Sequence, residues 1–338
     1  YEATDDGTGY GTYEATRDAA ADGAGNDGAT DQRDATTVDE TGPTFSAASP
    51  AGTTVADDRR NVGVDVADAI HDVDATSLEL TVEDSSGTLL DAVGTDATGV
   101  TFSGGTLALD PAAAGLAFAD GEVTVTVAAT DSVGNPAETT FSFDVDTTPP
   151  TFGSGSPSGT VADAQATVEV SVSDATGVSP SSVAVTVNDS SGTLVDAAGT
   201  GASGVTFSGG TVAFDPAAAG VTLSDGEVNV TVAAEDTLGN RANATSSFAV
   251  DTPPTIRNFD ATATGDGVDV SFVSTDRLST VRVSASGPNG TDELTTGAFA
   301  ETSAGDDYEY AATFDPGPDG EYSFSLDAAT DPQGDGAT

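Results

Sequence analysis

Three residue patterns in this chain could do chemistry. The first is a turn of the form Asp-x-x-Gly-Asn, at Asp131–Asn135 and Asp236–Asn240, with Asp331–Asp335 as a variant that ends in an acid. Carboxylates on adjoining loops can supply the roughly six to eight oxygens that calcium takes. The plainer account is that Asp and Gly-Asn make turns unaided, and Asp is abundant here. The second pattern is Asn-x-Ser/Thr, at Asn188, Asn229, Asn243 and Asn289, the acceptor sequence for glycans on a secreted chain. A chain this rich in Ser and Thr also produces that pattern by chance. The third is the single histidine, His71, in Ala-Ile-His-Asp-Val-Asp. A catalytic histidine needs a nucleophile and an orienting partner. No nucleophile motif accompanies His71, so an exposed loop position is expected.

Other enzyme chemistry finds little footing. Glycoside hydrolysis needs a matched pair of carboxylates, and nothing singles out a pair among 56 acids. Six Tyr, fourteen Phe and no Trp give little material for a sugar-stacking cleft. With no Cys there are no disulfides, thiolate nucleophiles or Cys-ligated metals. One histidine rules out a His-based zinc site. The chain is therefore expected not to be an enzyme. The recurring Asp110-Pro111, Asp215-Pro216 and Asp315-Pro316 pairs read as strand ends that open a turn.

The charge balance narrows the partners. Against 56 acids stand eight Arg and no Lys, a net charge of -48 over 338 residues. No basic patch for nucleic acid can be assembled from that, and anionic membrane surfaces repel it. No stretch approaches the roughly 20 apolar residues of a membrane span. Asp outnumbers Glu 42 to 14. The acids are interleaved with Val, Phe and Leu rather than gathered into a disordered tail. This composition resembles that of proteins from salt-loving archaea, and a halophilic source is expected: in molar salt the Debye length falls to about 3 Å and self-repulsion is screened. The absence of a signal peptide and of an initiating Met suggests a processed chain or a part of a longer one.

Internal repetition organises the chain. Residues 98–131, TGVTFSGGTLALDPAAAGLAFADGEVTVTVAATD, return at 203–236 as SGVTFSGGTVAFDPAAAGVTLSDGEVNVTVAAED, an offset of 105. Both units share Asp-Ser-Ser-Gly-Thr-Leu and close in Val-Asp-Thr followed by Pro-Pro. A diverged third unit follows from Thr255. Residues 1–26 also align with 310–335 at an offset of 309, through Tyr1/Tyr310, Gly11/Gly320, Tyr13/Tyr322 and others. The expected organisation is 1–40 as the back part of a preceding unit (or a donor segment), then units at 41–147, 148–252 and 253–338, the last without its final strand. The chain is then either a window on a longer tandem array or a filament subunit. In the second case its N-terminal segment completes a neighbour's last domain by strand addition. The 29-residue overlap weighs against pure strand donation.

Each unit reads as strands. Val123/Val125/Val127 alternate with Glu122, Thr124 and Thr126; Val228/Val230/Val232, Tyr322/Phe324/Leu326, Val62/Val64/Val66 and Val168/Val170/Val172 do likewise. One face is apolar and the other polar, as half-buried antiparallel sheets require. Pro111-Ala-Ala-Ala-Gly115 allows at most one helical turn. Seven or so short strands in about 100 residues indicate an immunoglobulin-like β-sandwich. The string GEVTVTVAATDSVGN (121–135), closing in VDTTPP (145–150), resembles the Ig-like repeats of large bacterial and archaeal surface proteins and adhesins. The fold expected is all-β: tandem immunoglobulin-like β-sandwiches forming an elongated rod.

Sandwich topology then groups the acids. The loops between the second and third strands and between the last two strands lie where the preceding linker arrives. So Asp39 should approach Asp68, Asp131 and Asn135; Asp146 should approach Asp174, Asp236 and Asn240; Asp251 should approach Asp276, Asp331 and Asp335. The resemblance implies that such junctions bind Ca2+ and stiffen the rod. It also implies an extracellular or cell-surface structural protein of a halophilic archaeon: a filament, sheath, surface layer or stalk. Self-association with identical chains, or continuation of a longer array, goes with it. The alternatives are an adhesin or viral fibre that recognises a glycan or receptor through its loops, and an accessory region of a secreted hydrolase. An exposed aromatic cluster would favour the adhesin; the sequence offers only Tyr308 and Tyr310, whose alternation with Glu309 also fits strand residues.

Overall fold

A computed structural model describes residues 11–17, 24, 32–265, 267–305, 307–317 and 319–337. Of the segment 1–40, residues 1–10, 18–23 and 25–31 lie outside the described residues, and with them most of the repeat that pairs 1–26 with 310–335. What is described there is a hairpin, β1 (Gly11–Arg17) with β2 (Gln32–Val38), paired with Gly11 opposite Val38.

The first sandwich contains β3 (Thr44–Ser49), β4 (Thr54–Val55), β5 (Val62–Ala67), β6 (Glu79–Asp84), β7 (Gly87–Val93), β8 (Val100–Ser103), β9 (Thr106–Leu109), β10 (Gly121–Thr130) and β11 (Pro136–Val145). One sheet runs β3-β5-β9-β8 and the other β4-β11-β10-β6-β7. The second contains β12 (Thr151–Phe152), β13 (Thr160–Val161), β14 (Val168–Ser173), β15 (Ala184–Asp189), β16 (Gly192–Gly199), β17 (Val205–Ser208), β18 (Thr211–Phe214), β19 (Gly226–Glu235) and β20 (Arg241–Val250). Its sheets repeat the order, β12-β14-β18-β17 and β13-β20-β19-β15-β16. Short β4 lies parallel to β11, and β13 parallel to β20; the other ladders described are antiparallel.

The third contains β21 (Ile256–Thr264), β22 (Gly267–Ser274), β23 (Thr280–Gly287), β24 (Gly290–Thr295), β25 (Ala300–Ala304), β26 (Asp307–Phe314) and β27 (Ser323–Thr330). It keeps a four-stranded sheet, β21-β22-β26-β25, but its second sheet is β24-β23-β27. Grouping by Cα proximity gives two compact units. One is Tyr1–Pro150 with Asp174–Gly177 and Glu235–Arg241; the other is Thr151–Ser173, Val178–Ala234 and Ala242–Thr338.

The alternation in the sequence becomes the core. Val123, Val125 and Val127 on β10 are fully buried, as are Val228, Val230 and Val232 on β19. Burying each such side chain is worth about 1.5–3 kcal/mol. Phe118 meets Phe143 edge-on at 5.6 Å. The third core is built differently. Tyr310 stacks on Phe272 at 5.1 Å, and its hydroxyl accepts a hydrogen bond from the Leu278 N–H at 2.7 Å. Tyr310 is 1% exposed, so it belongs to the core and to no recognition surface.

Turn chemistry sets the registers. Gly104-Gly105 and Gly209-Gly210, all at positive φ, close the β8–β9 and β17–β18 hairpins in two residues. Two of the Asp-Pro pairs, Asp110-Pro111 and Asp215-Pro216, cap one-turn helices, α1 (Pro111–Ala114) and α2 (Pro216–Ala219), whereas Asp315-Pro316 opens no helix. Asp110 accepts from the Ala113 N–H and Asp215 from the Ala218 N–H. Gly204, at φ 81, lies against this cap: a Cβ there would sit 2.4 Å from the Asp215 carbonyl oxygen. The shared Asp-Ser-Ser-Gly motif does more than turn. Asp84 Oδ2 accepts from the Ala119 N–H, and Asp189 Oδ2 from the Ser224 N–H, both at 2.8 Å. Burial opposes the charge on Asp84 and Asp189, yet these and the local N–H and hydroxyl donors outweigh it and hold both carboxyls below the usual range.

Candidate metal centres

Three aspartate clusters stand where the topology predicts them. In the first, carboxylate oxygens of Asp39, Asp68 and Asp131 all lie within 4.8 Å of one another. Asp39 follows β2, Asp68 follows β5 and Asp131 follows β10. The two loops are bound together by a Val73–Asp131 bridge and by a Ser132 N–H donated to the Asp72 carbonyl at 2.8 Å. The second cluster joins Asp146, Asp174 and Asp236 in the same way, and all three belong to the first compact unit. The third joins Asp251, Asp331 and Asp335, all within the second unit.

Local backbone geometry positions each acid. Asp236 Oδ1 accepts N–H donors from Leu238, Gly239 and Asn240 at 2.8, 2.6 and 2.9 Å. Asp131 does the same with Val133, Gly134 and Asn135. Burial works against ionisation of both, but the Asn side chains and these N–H donors prevail and lower both pKa values. Asp174 Oδ1 accepts from the Thr176 N–H and hydroxyl, each at 2.8 Å. Asp68 Oδ1 accepts from the N–H groups of Ile70 and His71.

The asparagines serve as brackets. The Asn240 amide nitrogen donates to the Asp146 carbonyl and to Asp236 Oδ2. The Asn135 amide nitrogen donates to the Asp39 carbonyl at 3.0 Å and to Asp131 Oδ2 at 2.8 Å. Asp335 stands in this place in the third cluster and has no amide to give.

Whether the donor set fits a cation turns on what remains unpaired. Asp146 is 6% exposed. Its Oδ1 accepts from Thr148 at 2.6 and 3.1 Å, but its Oδ2 is buried without a hydrogen-bond partner. Asp39 Oδ2 is equally orphaned, while Oδ1 accepts from Thr41. A buried, unpaired carboxylate oxygen beside two more carboxylates is costly unless a cation or proton meets it. Hard oxygen donors with no sulfur or imidazole suit calcium or magnesium.

The third cluster differs from the expected set of Asp251, Asp276, Asp331 and Asp335. Asp276 stands outside the three-acid group, yet its carboxyl is raised by burial, partly offset by the Thr275 hydroxyl, and raised further by Asp225 and Asp331. Asp251 is raised by burial and then by Asp331, Asp335, Asp225 and Asp276. Sequence reasoning missed Asp225. It accepts from the Thr252 N–H and hydroxyl, both at 3.0 Å, just as Asp120 accepts from Thr147. The signal in the sequence is the Asp-Gly pair that opens β10 and β19, Asp120-Gly121 and Asp225-Gly226.

His71 departs from expectation. It is half-buried rather than exposed, and its Nε2 is buried without a partner. Among the sequons, Asn188 on β15 lies opposite Asn229 on β19, and Asn188 Oδ1 accepts from the Thr193 hydroxyl at 2.6 Å. Asn243 is exposed on β20, and Asn289 is exposed in the turn between β23 and β24. Among the described residues, no helix is long and apolar enough to cross a membrane.

Neither a protein-family model nor a curated protein sequence matches this chain. Solved structures do. A three-domain segment of titin, I67–I69 in an E-to-A variant, aligns at 15% identity with a TM-score of 0.52, covering 86% of this chain and 94% of that one. A tetra-tandem repeat from the extending region of a large adhesion protein aligns at 21% identity with a TM-score of 0.36, covering 97% and 79%. A structure from a 1.5-MDa bacterial ice-binding adhesin aligns at 15% identity with a TM-score of 0.40, covering 88% and 96%. Together with the sheet orders above, the titin alignment shows the fold: this chain is a tandem of immunoglobulin-like β-sandwiches.

Proposed function

We propose that this chain is an extracellular structural protein of a halophilic archaeon, a stiff spacer in a cell-surface filament, sheath or surface layer. In this reading the aspartate clusters take calcium and fasten each linker to the loops beside it. The observation that carries it is the recurrence of one acidic bracket three times, with Asp146 Oδ2 buried and unpaired in the second. Bound calcium would neutralise carboxylates that otherwise repel one another. The 56 acids and the missing Lys support a high-salt habitat, and the spacer is expected to associate with copies of itself.

The test is a calcium titration at fixed, molar ionic strength. Melting temperature should rise with calcium, and small-angle scattering should report an extended particle that stiffens. A magnesium control at equal ionic strength should do less. No calcium response removes the cation; a compact particle removes the spacer.

A further inference from the structure

We propose that an open cleft on the first sandwich, flanked by Arg59 and Arg60, binds an acidic saccharide: a sugar that carries a carboxylate or a sulfate ester. This gives the spacer a recognition site of its own and depends on neither calcium nor self-association.

Cations are scarce in a chain of net charge -48. Arg241, Arg257, Arg277 and Arg282 each meet a carboxylate, at 2.5–3.9 Å. Arg59 and Arg60 are exposed and form no ion pair among the described residues. They flank an open cleft of about 540 Å³, whose lining includes Ser49, Asp57, Asn61 and Gly63. Ligand sites typically span about 300–1,000 Å³.

The second sandwich shows that the fold does not need these arginines. Its residues 161–170, VADAQATVEV, align with 55–64, VADDRRNVGV. The turn is built the same way in both. The Arg59 N–H donates to Asp57 Oδ1 at 2.9 Å, and the Gln165 N–H to Asp163 Oδ1 at 2.8 Å. The Phe118 N–H donates to the Asp58 carbonyl at 2.7 Å, and the Leu223 N–H to the Ala164 carbonyl at 2.9 Å. Gln165 and Ala166 therefore serve the turn as well as two arginines do. Between buried Val62 and Val64, Gly63 stands where the second sandwich has Glu169. Backbone strain does not require this glycine. Its φ is not positive, and a Cβ there would lie 3.7 Å from the Leu107 carbonyl oxygen, an ordinary contact. All three differences act in one direction: around one cleft, two cations are gained, a carboxylate is missing and its space is left open.

The donors and acceptors name the ligand's class. Neighbouring guanidinium forks grip a carboxylate or a sulfate through paired hydrogen bonds. Such bonds act at contact distance, so the Debye length of about 3 Å in molar salt does not abolish them. Asp57 also lines the cleft and favours a hydroxyl donor over a second anion, while Ser49 and Asn61 can donate or accept. A small frame that carries one acid group and several hydroxyls satisfies the whole set. An acidic peptide would set carboxylates against Asp57, and a second copy would bring a surface of the same sign. None of the lining residues is aromatic, so charge and hydrogen bonds do the recognition, without stacking.

Three immobilised probes read the site: oligomers of galacturonic acid, of sulfated galactose and of neutral galactose. The intact chain is applied in molar chloride with EDTA, so that no calcium bridges sugar to aspartate. It should bind at least one acidic oligomer and leave the neutral one, and the oligomer that binds separates carboxylate from sulfate. Arg59→Gln with Arg60→Ala, and separately Gly63→Glu, give the first sandwich the residues of the second. Each should weaken binding about tenfold or more, with the melting temperature unchanged. Arg241→Gln, which removes a charge elsewhere, should bind as the unsubstituted chain does. Should Gly63→Glu unfold, the arginine variant decides alone. Unchanged binding in the arginine variant, equal binding to the neutral oligomer, or no binding to either acidic one overturns the proposal. Tighter binding to polyaspartate than to both acidic oligomers overturns it in favour of a protein partner.

Discussion

The Asn240 amide nitrogen donates at 2.8 Å to the backbone carbonyl of Asp146, ninety-four positions earlier in the chain, and at 2.7 Å to Asp236 Oδ2. One neutral side chain thus ties a linker to the turn in which it sits. Asn240→Ala removes both bonds and leaves a buried acceptor unmet. Its expected cost is about 1–3 kcal/mol. Chemical denaturation measures it, and limited proteolysis should show earlier cutting within 147–150. Wild-type resistance in the variant would mean that the bracket is decorative.

The third cluster carries the converse prediction. Asp335→Asn supplies the missing amide and removes one of the charges that raise the Asp251 pKa. Without calcium the variant should be more stable by about 1 kcal/mol or less, since the site is partly solvated. Its calcium-induced rise in melting temperature should shrink. A calcium-free loss of stability would contradict the assignment.

Acid should act on the clusters with opposite sign. The lowered pKa of Asp236 contributes stability that is present above the ordinary carboxylate range and is lost as pH falls through the lowered value. The raised pKa values of Asp251 and Asp276 impose a cost that appears as pH rises through that range, so acidification relieves it. Hydrogen exchange read sandwich by sandwich in calcium-free buffer, at about pH 7 and about pH 4.5, checks this. Protection around 331–335 should gain relative to protection around 236–240. An equal change at both would sink the prediction.

The sequons should differ in occupancy. Asn289 is exposed in a tight turn with Gly290 at φ 120, where a transferring enzyme can reach a folded chain. Asn229 lies within a ladder opposite Asn188, and the Thr231 and Thr245 hydroxyls of two sequons meet at 2.7 Å. Glycopeptide mapping of native material should find Asn289 occupied and Asn229 bare. The reverse pattern would show that modification precedes folding.

The strands were legible because burial on one face leaves a period of two, as in Val123/Val125/Val127. The acidic brackets were legible because sandwich topology brings two loops and a linker to the same end, whatever their details. Other features depend on loop paths that local pattern does not encode. The reach of Asp84 to the Ala119 N–H spans 35 residues, and Asp225 joins the third cluster only through the course of the linker at Thr252. The role of Asn135 and Asn240 as donors was hidden by chemistry, since an amide can ligate through oxygen or brace through nitrogen. Tyr308 and Tyr310 alternate with Glu309 as strand residues do, but the stacking of Tyr310 on Phe272 among the valines and leucines of the third core depends on a tertiary contact that local pattern does not encode.

The parallel pairing of β4 with β11 has a mechanical side. The Asp144 and Asp146 N–H groups donate to the Thr53 and Val55 carbonyls at 2.9 and 3.0 Å, and the Ala249 and Asp251 N–H groups repeat this with Gly159 and Val161. Tension applied between the two termini would drag these strands past each other in shear. The bonds would be loaded together and would have to rupture together, rather than unzipping singly.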